Sequence, residues 1–442
     1  MQTSLRKYWL SLNASYWFIP TLMTLAALLL SFVTIYIDRH GGAQWLTELG
    51  WVQPSRPDGA RSLLTVIASA MIGVASTVFA ITIAAVVYAS GTYGPRLLTN
   101  FMTDRGNQLS LGVFIATFAY SLMILRVVRT EDEMPATIED AVASYLPGFV
   151  PQISLLVALA LLLIALAVLV YFLHHIPASI RINSVLAGIG RRLLRDIEYR
   201  FPKADGARSP SKSAGGEPLN ATFTGYIEII DFDRLDDIAR AVGATISLRV
   251  RTGDFIHPPM VLLDVAGADP GGELGAELRG AFAVGAARTP TQDLEYLIDE
   301  LVEIALRALS PAINDPFTAI TSLHWVGAAT ASLGGRNLCR GPEQEDYDAM
   351  RVRPMDDDFG HFVRRGFGGI RLSAAGNPLA AKVFVDMLAL AAAGCALPER
   401  RAALAREAKL LEEQADAMLA GPALAEIRDK VRTFEAWLPA KP

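Results

Sequence analysis

The stretch that decides the fold is LLTVIASAMIGVASTVFAITIAAVVYA, residues 63–89, which contains no charged side chain. An α-helix rises about 1.5 Å per residue, so about 20 apolar residues cross a hydrocarbon core of roughly 30 Å. Three further stretches of this kind lie at about 17–37, 109–128 and 150–173. The sequence therefore predicts an α-helical multi-pass membrane domain with four transmembrane helices.

The overall composition supports a membrane protein and excludes several other classes. Hydrophobic residues make up 52% and charged residues 19% of the 442 residues, whereas a soluble domain carries about 25% charged residues. Two cysteines, Cys339 and Cys395, are too few for a disulfide framework or a cysteine-based zinc site. The net charge of −5 shows no basic excess, so we expect no nucleic-acid partner.

The distribution of arginine and lysine predicts the orientation of the four spans, because cytoplasmic loops carry an excess of these residues. The segments before the first span, between the second and third spans and after the fourth span are basic, whereas segment 131–140 is rich in acids. The basic residues are Arg6, Lys7, Arg96, Arg105, Arg181, Arg191, Arg192, Arg195 and Arg200. We therefore expect both termini to lie in the cytoplasm.

Small residues follow one face of the second span. They recur every three or four residues, which places them on one side of a helix. One interpretation is close packing between helices through small side chains. The other is a hydroxyl-lined pore face in an oligomer. The pore-lining candidates are Thr65, Ser69, Gly73, Ser76 and Thr77.

The residues after the fourth span predict a second, cytosolic part. Apolar residues repeat with helical spacing over 180–199, and such an amphipathic helix should lie on anionic lipid or pack on a partner. Beyond it, strand-like alternation precedes helical periodicity, which is typical of an α+β domain. The predicted divisions are a transmembrane domain with this trailing helix at 1–200, a flexible linker at 201–220, and a cytosolic α+β domain at 221–442, with a small β-module at 221–287 and a helical remainder at 288–442.

The most distinctive cytosolic stretch is RTPTQDLEYLIDELVEIALRALSPAINDPFTAI, residues 288–320. Thr289, followed by a proline and by Gln292, predicts a capping box at the start of one helix. Asp315, followed by a proline, predicts the N-cap of a second helix. The pattern therefore predicts two helices joined by a short corner.

Two interpretations of this corner remain open. It is either a rigid helix–helix connection, or a polar pocket that binds a cation, a small ligand or a partner loop. The ligand-binding candidates of the pocket are Glu303, Arg307, Ser310, Asn314, Asp315 and Thr318.

The sequence offers no motif for catalysis or for a cofactor. It contains no Walker loop, no G-x-G-x-x-G, no H-E-x-x-H and no C-x-x-C. We therefore predict no catalytic residue, no metal site and no cofactor, and an enzyme is the least favoured class of function.

Long strings of the chain resemble an uncharacterised family of bacterial membrane proteins, domain of unknown function 2254. The strings are YGPRLLTNFMTDRGNQLSLGVFIATFAYSLMILRVVR (93–129), GYIEIIDFDRLDDIA (225–239), VRTGDFI (250–256) and the stretch at 288–320 quoted above. The resemblance implies a multi-pass protein of the bacterial inner membrane with a cytosolic domain. It brings no established activity.

The long hydroxyl-bearing second span and the absence of catalytic motifs favour an oligomeric inner-membrane channel or transport-like protein with a cytosolic regulatory domain. The alternative is a non-transporting scaffold or sensor that binds a ligand or protein through its cytosolic domain. The expected partners are the lipid bilayer, further copies of the chain, and an ion or small ligand.

The predicted orientation can be tested by labelling single cysteines in whole cells, after Cys339 and Cys395 have been replaced by serine. A cysteine at Glu133 should react with a membrane-impermeant maleimide, because the segment that contains it is expected outside. A cysteine at Ser211 should react only after the cells are permeabilised. Labelling of Ser211 in intact cells would reverse the predicted orientation.

Overall fold

The computed structural model describes residues 15–40, 56–94, 104–130, 149–201, 203, 215–339 and 351–438. Three of the basic residues used for the orientation, Arg6, Lys7 and Arg96, lie outside the described residues, as do segment 131–140 and most of the predicted linker.

Within the described residues, four helices are long and apolar enough to cross a membrane, in agreement with the hydropathy pattern. They are α1 (Phe18–Arg39), α2 (Pro57–Tyr93), α3 (Arg105–Leu125) and α4 (Gln152–Ser179). The candidate span of α2, Pro57–Gly91, has 35 residues, which corresponds to about 52 Å of helix. It is therefore much longer than a hydrocarbon core of about 30 Å.

Contacts divide the chain into two compact units. The first unit contains the described residues up to 91 and those from 104 to 180, and thus the candidate spans. The second unit contains residues 92–94 and the described residues from 181 onward. The last two residues of α2 therefore belong to the second unit by their contacts, although the rest of the helix belongs to the first.

The end of α1 caps the start of α4. The Asp38 carboxylate accepts hydrogen bonds from the backbone N–H groups of Ile153 and Ser154, both at 2.9 Å, and from the Ser154 hydroxyl at 2.7 Å. The first N–H groups of a helix have no partner within the helix and carry partial positive charge, which a carboxylate neutralises. The C-terminal end of α1 is thereby held beside the N-terminal end of α4.

A second polar contact joins the N-terminal end of α3 to the C-terminal end of α4. Asp104 caps α3 by accepting a hydrogen bond from Gly106 N at 2.8 Å, and its other carboxylate oxygen lies 2.8 Å from His175 Nε2 near the end of α4. Helix α4 therefore runs antiparallel to both α1 and α3. The chain enters α1 and leaves α4 on the same side of the first unit, as an even number of crossings requires.

The second unit contains two small β-sheets. The four-stranded sheet has the order β1-β5-β3-β7, in which only the β3–β7 pair is parallel, and the three-stranded antiparallel sheet has the order β4-β2-β6. The strands are β1 (Glu217–Asn220), β2 (Gly225–Ile230), β3 (Thr245–Leu248), β4 (Phe255–Ile256), β5 (Val261–Ala266), β6 (Phe282–Gly285) and β7 (Val352–Arg353). Strand β1 occupies the last four residues of the segment predicted as linker.

The rest of the second unit is mostly helical. A π-helical turn, Arg364–Gly368, interrupts one of its helices. The helices are α5 (Ile182–Arg200), α6 (Phe232–Val242), α7 (Gly272–Arg279), α8 (Leu294–Ala308), α9 (Pro316–Gly334), α10 (Phe359–Val363), α11 (Gly369–Ala375), α12 (Pro378–Ala393), α13 (Pro398–Met418) and α14 (Gly421–Trp437).

Helix α5 is the amphipathic helix predicted after the fourth span. It packs against α8 and α9 within the second unit, so its apolar face is covered by protein rather than by lipid. Gly190 allows the closest approach, because a Cβ atom added there would lie 2.1 Å from Trp325 Cε3. The buried residues of this face are Leu186, Ile189, Gly190, Leu193 and Ile197.

The predicted start of α8 was wrong by several residues. The capping box at Thr289 does not form, and the helix begins at Leu294 with Asp293 as its N-cap, whose carboxylate accepts a hydrogen bond from Tyr296 N at 3.1 Å. Gln292 instead accepts a hydrogen bond from Ile230 N at 3.0 Å, so its side chain is used to hold strand β2.

Two glycines of α5 provide a matched test of this packing. We expect Gly190→Ala to lower the free energy of unfolding by about 1–3 kcal/mol, because the new methyl group would overlap the indole ring. Gly188→Ala should be neutral or stabilising by up to about 1 kcal/mol, since nothing lies within 4 Å of its added Cβ and alanine favours a helix. Thermal unfolding of the detergent-purified protein measures both. Equal stability of the two variants would contradict the packing of α5.

Candidate functional site

The pore-lining candidates form an exposed face of α2. Thr65, Ser69, Gly73, Ser76 and Thr77 are all exposed. The core of the first unit is formed by the roughly opposite side of the helix, which contributes Leu64, Ile67, Met71, Ala75 and Val78. The structure turns this small face away from the core of the first unit, and its use as a pore lining stays a prediction.

Two hydroxyl groups of this face donate hydrogen bonds within the helix. Ser76 Oγ donates to Ile72 O and Thr77 Oγ1 donates to Gly73 O, both at 3.0 Å. A Cβ atom added at Gly73 would meet nothing within 4 Å. Close packing against another helix of the same unit is therefore not the role of Gly73, and this part of the face is available to lipid or to another molecule.

The predicted cap of the helical corner is present. Asp315 accepts hydrogen bonds from Thr318 N at 3.2 Å and from the Thr318 hydroxyl at 2.6 Å, and Pro316 is the first residue of α9. Asn314 has a φ of 48°, a left-handed conformation that asparagine adopts more readily than most residues. Asp315 N donates to Ala308 O at 2.7 Å. The corner is thus closed by its own hydrogen bonds.

The other candidates also make local contacts. Ser310 Oγ donates to Arg307 O at 2.6 Å, and Arg307 Nε lies 3.5 Å from Glu303 Oε1. Apolar side chains are exposed at the same corner, since Ile313 is 42% and Phe317 is 71% exposed. The structure therefore accounts for the polar residues as caps and pairs of the corner, and a ligand pocket there stays a prediction.

Glu303 also lies against the end of α2. Gly94, which follows α2, has a φ of +131°, and a Cβ atom added to it would lie 2.6 Å from Glu303 Oε1. Only glycine adopts this conformation readily. Within the second unit, the end of the longest apolar helix is therefore in close contact with α8.

A cluster of charges at the start of α8 was missed by the sequence analysis. Arg365 binds Asp299 through two hydrogen bonds of 2.6 and 2.7 Å and lies 2.6 Å from Glu295. Arg288 lies 2.6 Å from the same Asp299 and 2.5 Å from Asp293. Glu295 and Asp299, four residues apart, are visible in the sequence as a pair of acids on one helix face, but their partner Arg365 is 66 residues away from Asp299.

This cluster is built for structure rather than for binding a ligand. Burial raises the pKa of the Asp293 carboxyl, and the adjacent Arg288 opposes that shift. The cavity beside the cluster has a volume of about 10 Å³, which accommodates about one water molecule. Bidentate pairs between arginine and carboxylate fix the orientation of both groups, so the cluster holds α8 against the π-helical turn.

Another cavity among the described residues of the second unit is a groove between α13 and the segment around the π-helical turn. Its volume is about 240 Å³, and three arginines line it, two from the segment around the π-helical turn and one from α13. We call it the arginine groove. Its lining residues are Gly360, Val363, Arg364, Gly368, Arg371, Ala403, Arg406, Glu407 and Leu410.

Comparison with known proteins decides the family. The model of a family described as "Predicted membrane protein (DUF2254)" matches residues 13–390. The chain belongs to this family. The match confirms the resemblance seen in the sequence strings, and it includes the four candidate spans, both sheets and the helical corner of this DUF2254 member.

Similar proteins occur in mycobacteria. Uncharacterized proteins of Mycobacterium bovis and Mycobacterium tuberculosis are each 30% identical over 365 residues, which is 80% of this DUF2254 chain and 68% of theirs. No solved structure matches the chain. The comparisons therefore establish a membrane-protein family without assigning an activity to it.

Two substitutions at Asp315 separate the interpretations of the corner. We expect Asp315→Ala to lower the free energy of unfolding by about 0.5–2 kcal/mol through loss of the N-cap, and Asp315→Asn to cost much less, since asparagine is also a good cap. Chemical denaturation of the purified protein measures this difference. Loss of function in both variants, with Asp315→Asn as stable as the unmodified protein, would show instead that the negative charge itself is used.

Proposed function

We propose that this DUF2254 protein forms an oligomeric channel or transport-like assembly in the bacterial inner membrane, with α2 lining the passage and the second unit acting as a cytosolic regulatory domain. The observation that carries the proposal is the exposure of the small face of α2. Both termini would lie in the cytoplasm, as the arginine distribution predicts.

The chemistry of the small face supports a passage. Serine and threonine hydroxyls offer both donors and acceptors to water or to an ion, and the small side chains leave room beside the helix axis. An apolar bilayer gains nothing from such a face, whereas several copies of α2 around a common axis would hydrate it. The competing use of the same face is tight helix–helix packing between copies, which also requires an oligomer.

The length of α2 supports control by the second unit. Its last two residues belong to the second unit by contacts, and Gly94, which follows them, lies against Glu303 of α8. A rearrangement of α8 would therefore act directly on the end of the helix that carries the small face. This connection is what a regulatory domain needs in order to open or close a passage.

The alternative function is a non-transporting scaffold or sensor that binds a ligand or protein through the second unit. The arginine groove favours this alternative, because it is a cavity on that unit with charged side chains. The corner candidates favour it less, since local hydrogen bonds already use Ser310, Asp315 and Thr318.

Bulky substitutions on the small face test the passage. In reconstituted vesicles, Gly73→Leu and Thr77→Leu should each lower ion flux about tenfold or more, equivalent to a barrier increase of about 1.4 kcal/mol, while the oligomer stays assembled. Ile81→Phe is the control, because Ile81 is 40% exposed on α2 but lies outside the small face.

The outcome separates the two uses of the face. If the face only packs copies together, the leucine variants should dissociate the oligomer, because overpacking costs about 1–3 kcal/mol. Size-exclusion chromatography with light scattering detects this. Absence of flux from the unmodified protein under both voltage and tension would favour the scaffold or sensor.

A further inference from the structure

We propose that the arginine groove is a binding site for a phosphate ester. Arg364, Arg371 and Arg406 line it together with the single carboxylate of Glu407, so three positive charges and one negative charge leave a formal charge of +2. A phosphate monoester carries about −1.5 to −2 charges at neutral pH, and the phosphodiester of a lipid headgroup carries a single negative charge, so either suits the positive groove. Arginine guanidinium groups match the geometry of phosphate oxygens through paired hydrogen bonds.

One of the three arginines is held in a fixed position. Arg371 on α11 donates to the carboxylate of Glu407, which is buried, and its Nε donates to Gln414 Oε1 at 3.3 Å. A buried ion pair with an additional hydrogen bond restrains the guanidinium. The groove thus has a fixed cation in its wall rather than three mobile surface side chains.

The other two arginines are available to a ligand. Arg406 on α13 is exposed and forms no hydrogen bond or ion pair in the described part of the chain. Arg364 lies 3.3 Å from Asp358 in an exposed ion pair, which is a weak interaction in water. Asp358 also caps α10 by accepting hydrogen bonds from Gly360 N and His361 N. Its carboxylate therefore keeps these two partners if Arg364 leaves it to bind a ligand.

The backbone beside the groove departs from a regular α-helix. The π-helical turn Arg364–Gly368 forms part of its wall, and such turns occur frequently at functional sites. Gly360 and Gly368 present backbone instead of side chains. Val363, Ala403 and Leu410 add apolar surface for the organic part of an ester. A volume of about 240 Å³ accommodates a phosphate with a small organic group.

The same chemistry has two natural sources, a soluble organic phosphate and the headgroup of a phospholipid. Calorimetric titration of the full-length protein in detergent with AMP, with inorganic phosphate and with glycerophosphoglycerol distinguishes them. We expect saturable binding of one ester per chain. Tighter binding of AMP indicates a soluble phosphate, and tighter binding of glycerophosphoglycerol indicates a lipid headgroup. Saturable binding of neither ester overturns the proposal.

Variants locate the binding in the groove. Arg406→Gln and Arg364→Gln should each weaken binding about tenfold, the loss expected for one charge-assisted hydrogen bond. Gly368→Leu should abolish binding without a change of charge, because the leucine side chain would fill part of the groove. The variant should still fold, since an added Cβ lies 3.6 Å from Glu407 Oε2, which is an ordinary contact distance. Arg432→Gln is the control, because it removes the charge of an arginine side chain on α14 that is 72% exposed and absent from the groove lining.

The control decides whether the effect is specific. If Arg432→Gln weakens binding as much as Arg406→Gln, the interaction is general attraction to positive charge and the proposal fails. Thermal unfolding verifies that each variant is folded, and the two exposed arginine variants decide the outcome should Gly368→Leu prove unstable. The measurement needs no ion flux, so its result is independent of whether the protein forms a channel.

Discussion

The burial of the apolar face of α5 against α8 and α9 is the interaction on which the second unit depends. Each large aliphatic side chain buried in this way contributes about 1.5–3 kcal/mol, and Gly190 lets the Trp325 ring approach the α5 backbone. Arg192 and Arg200 then donate to the carbonyl groups of Pro290 and Gln292 just before α8. These contacts fix the helices that carry both the corner and the charged cluster.

Polar groups of the first unit need partners within the protein, because the interior of a bilayer contains no water to bind them. Its helices use side chains for this purpose at their ends and in their interior. Asp38 occupies the free N–H groups of α4, and the Tyr120 hydroxyl lies 2.9 Å from that of Thr34 and donates to Ser154 O at 3.2 Å. An unsatisfied polar group in hydrocarbon costs several kcal/mol, so these contacts give the spans a specific arrangement.

The features that could be predicted from sequence are those set by neighbouring residues. The four apolar spans, the amphipathic pattern of α5 and the Asp315 cap follow from local composition and spacing. The start of α8 was mispredicted because Asp293 is held by Arg288 and Gln292 is held by strand β2, and neither contact appears in a capping pattern. The cover of α5 and the arginine groove depend on residues far apart in the chain, such as Arg371 and Arg406, which no local pattern brings together.

The continuity of α2 gives it a mechanical property. The helix runs unbroken from Pro57 to Tyr93 with no proline after its first residue, so it lacks the commonest cause of a kink over 58–89, although its Ser90-Gly91 pair is of the kind at which helices bend. Residues 57–89 therefore move as one rod, so the small face can turn only together with the opposite face, which packs in the core of the first unit.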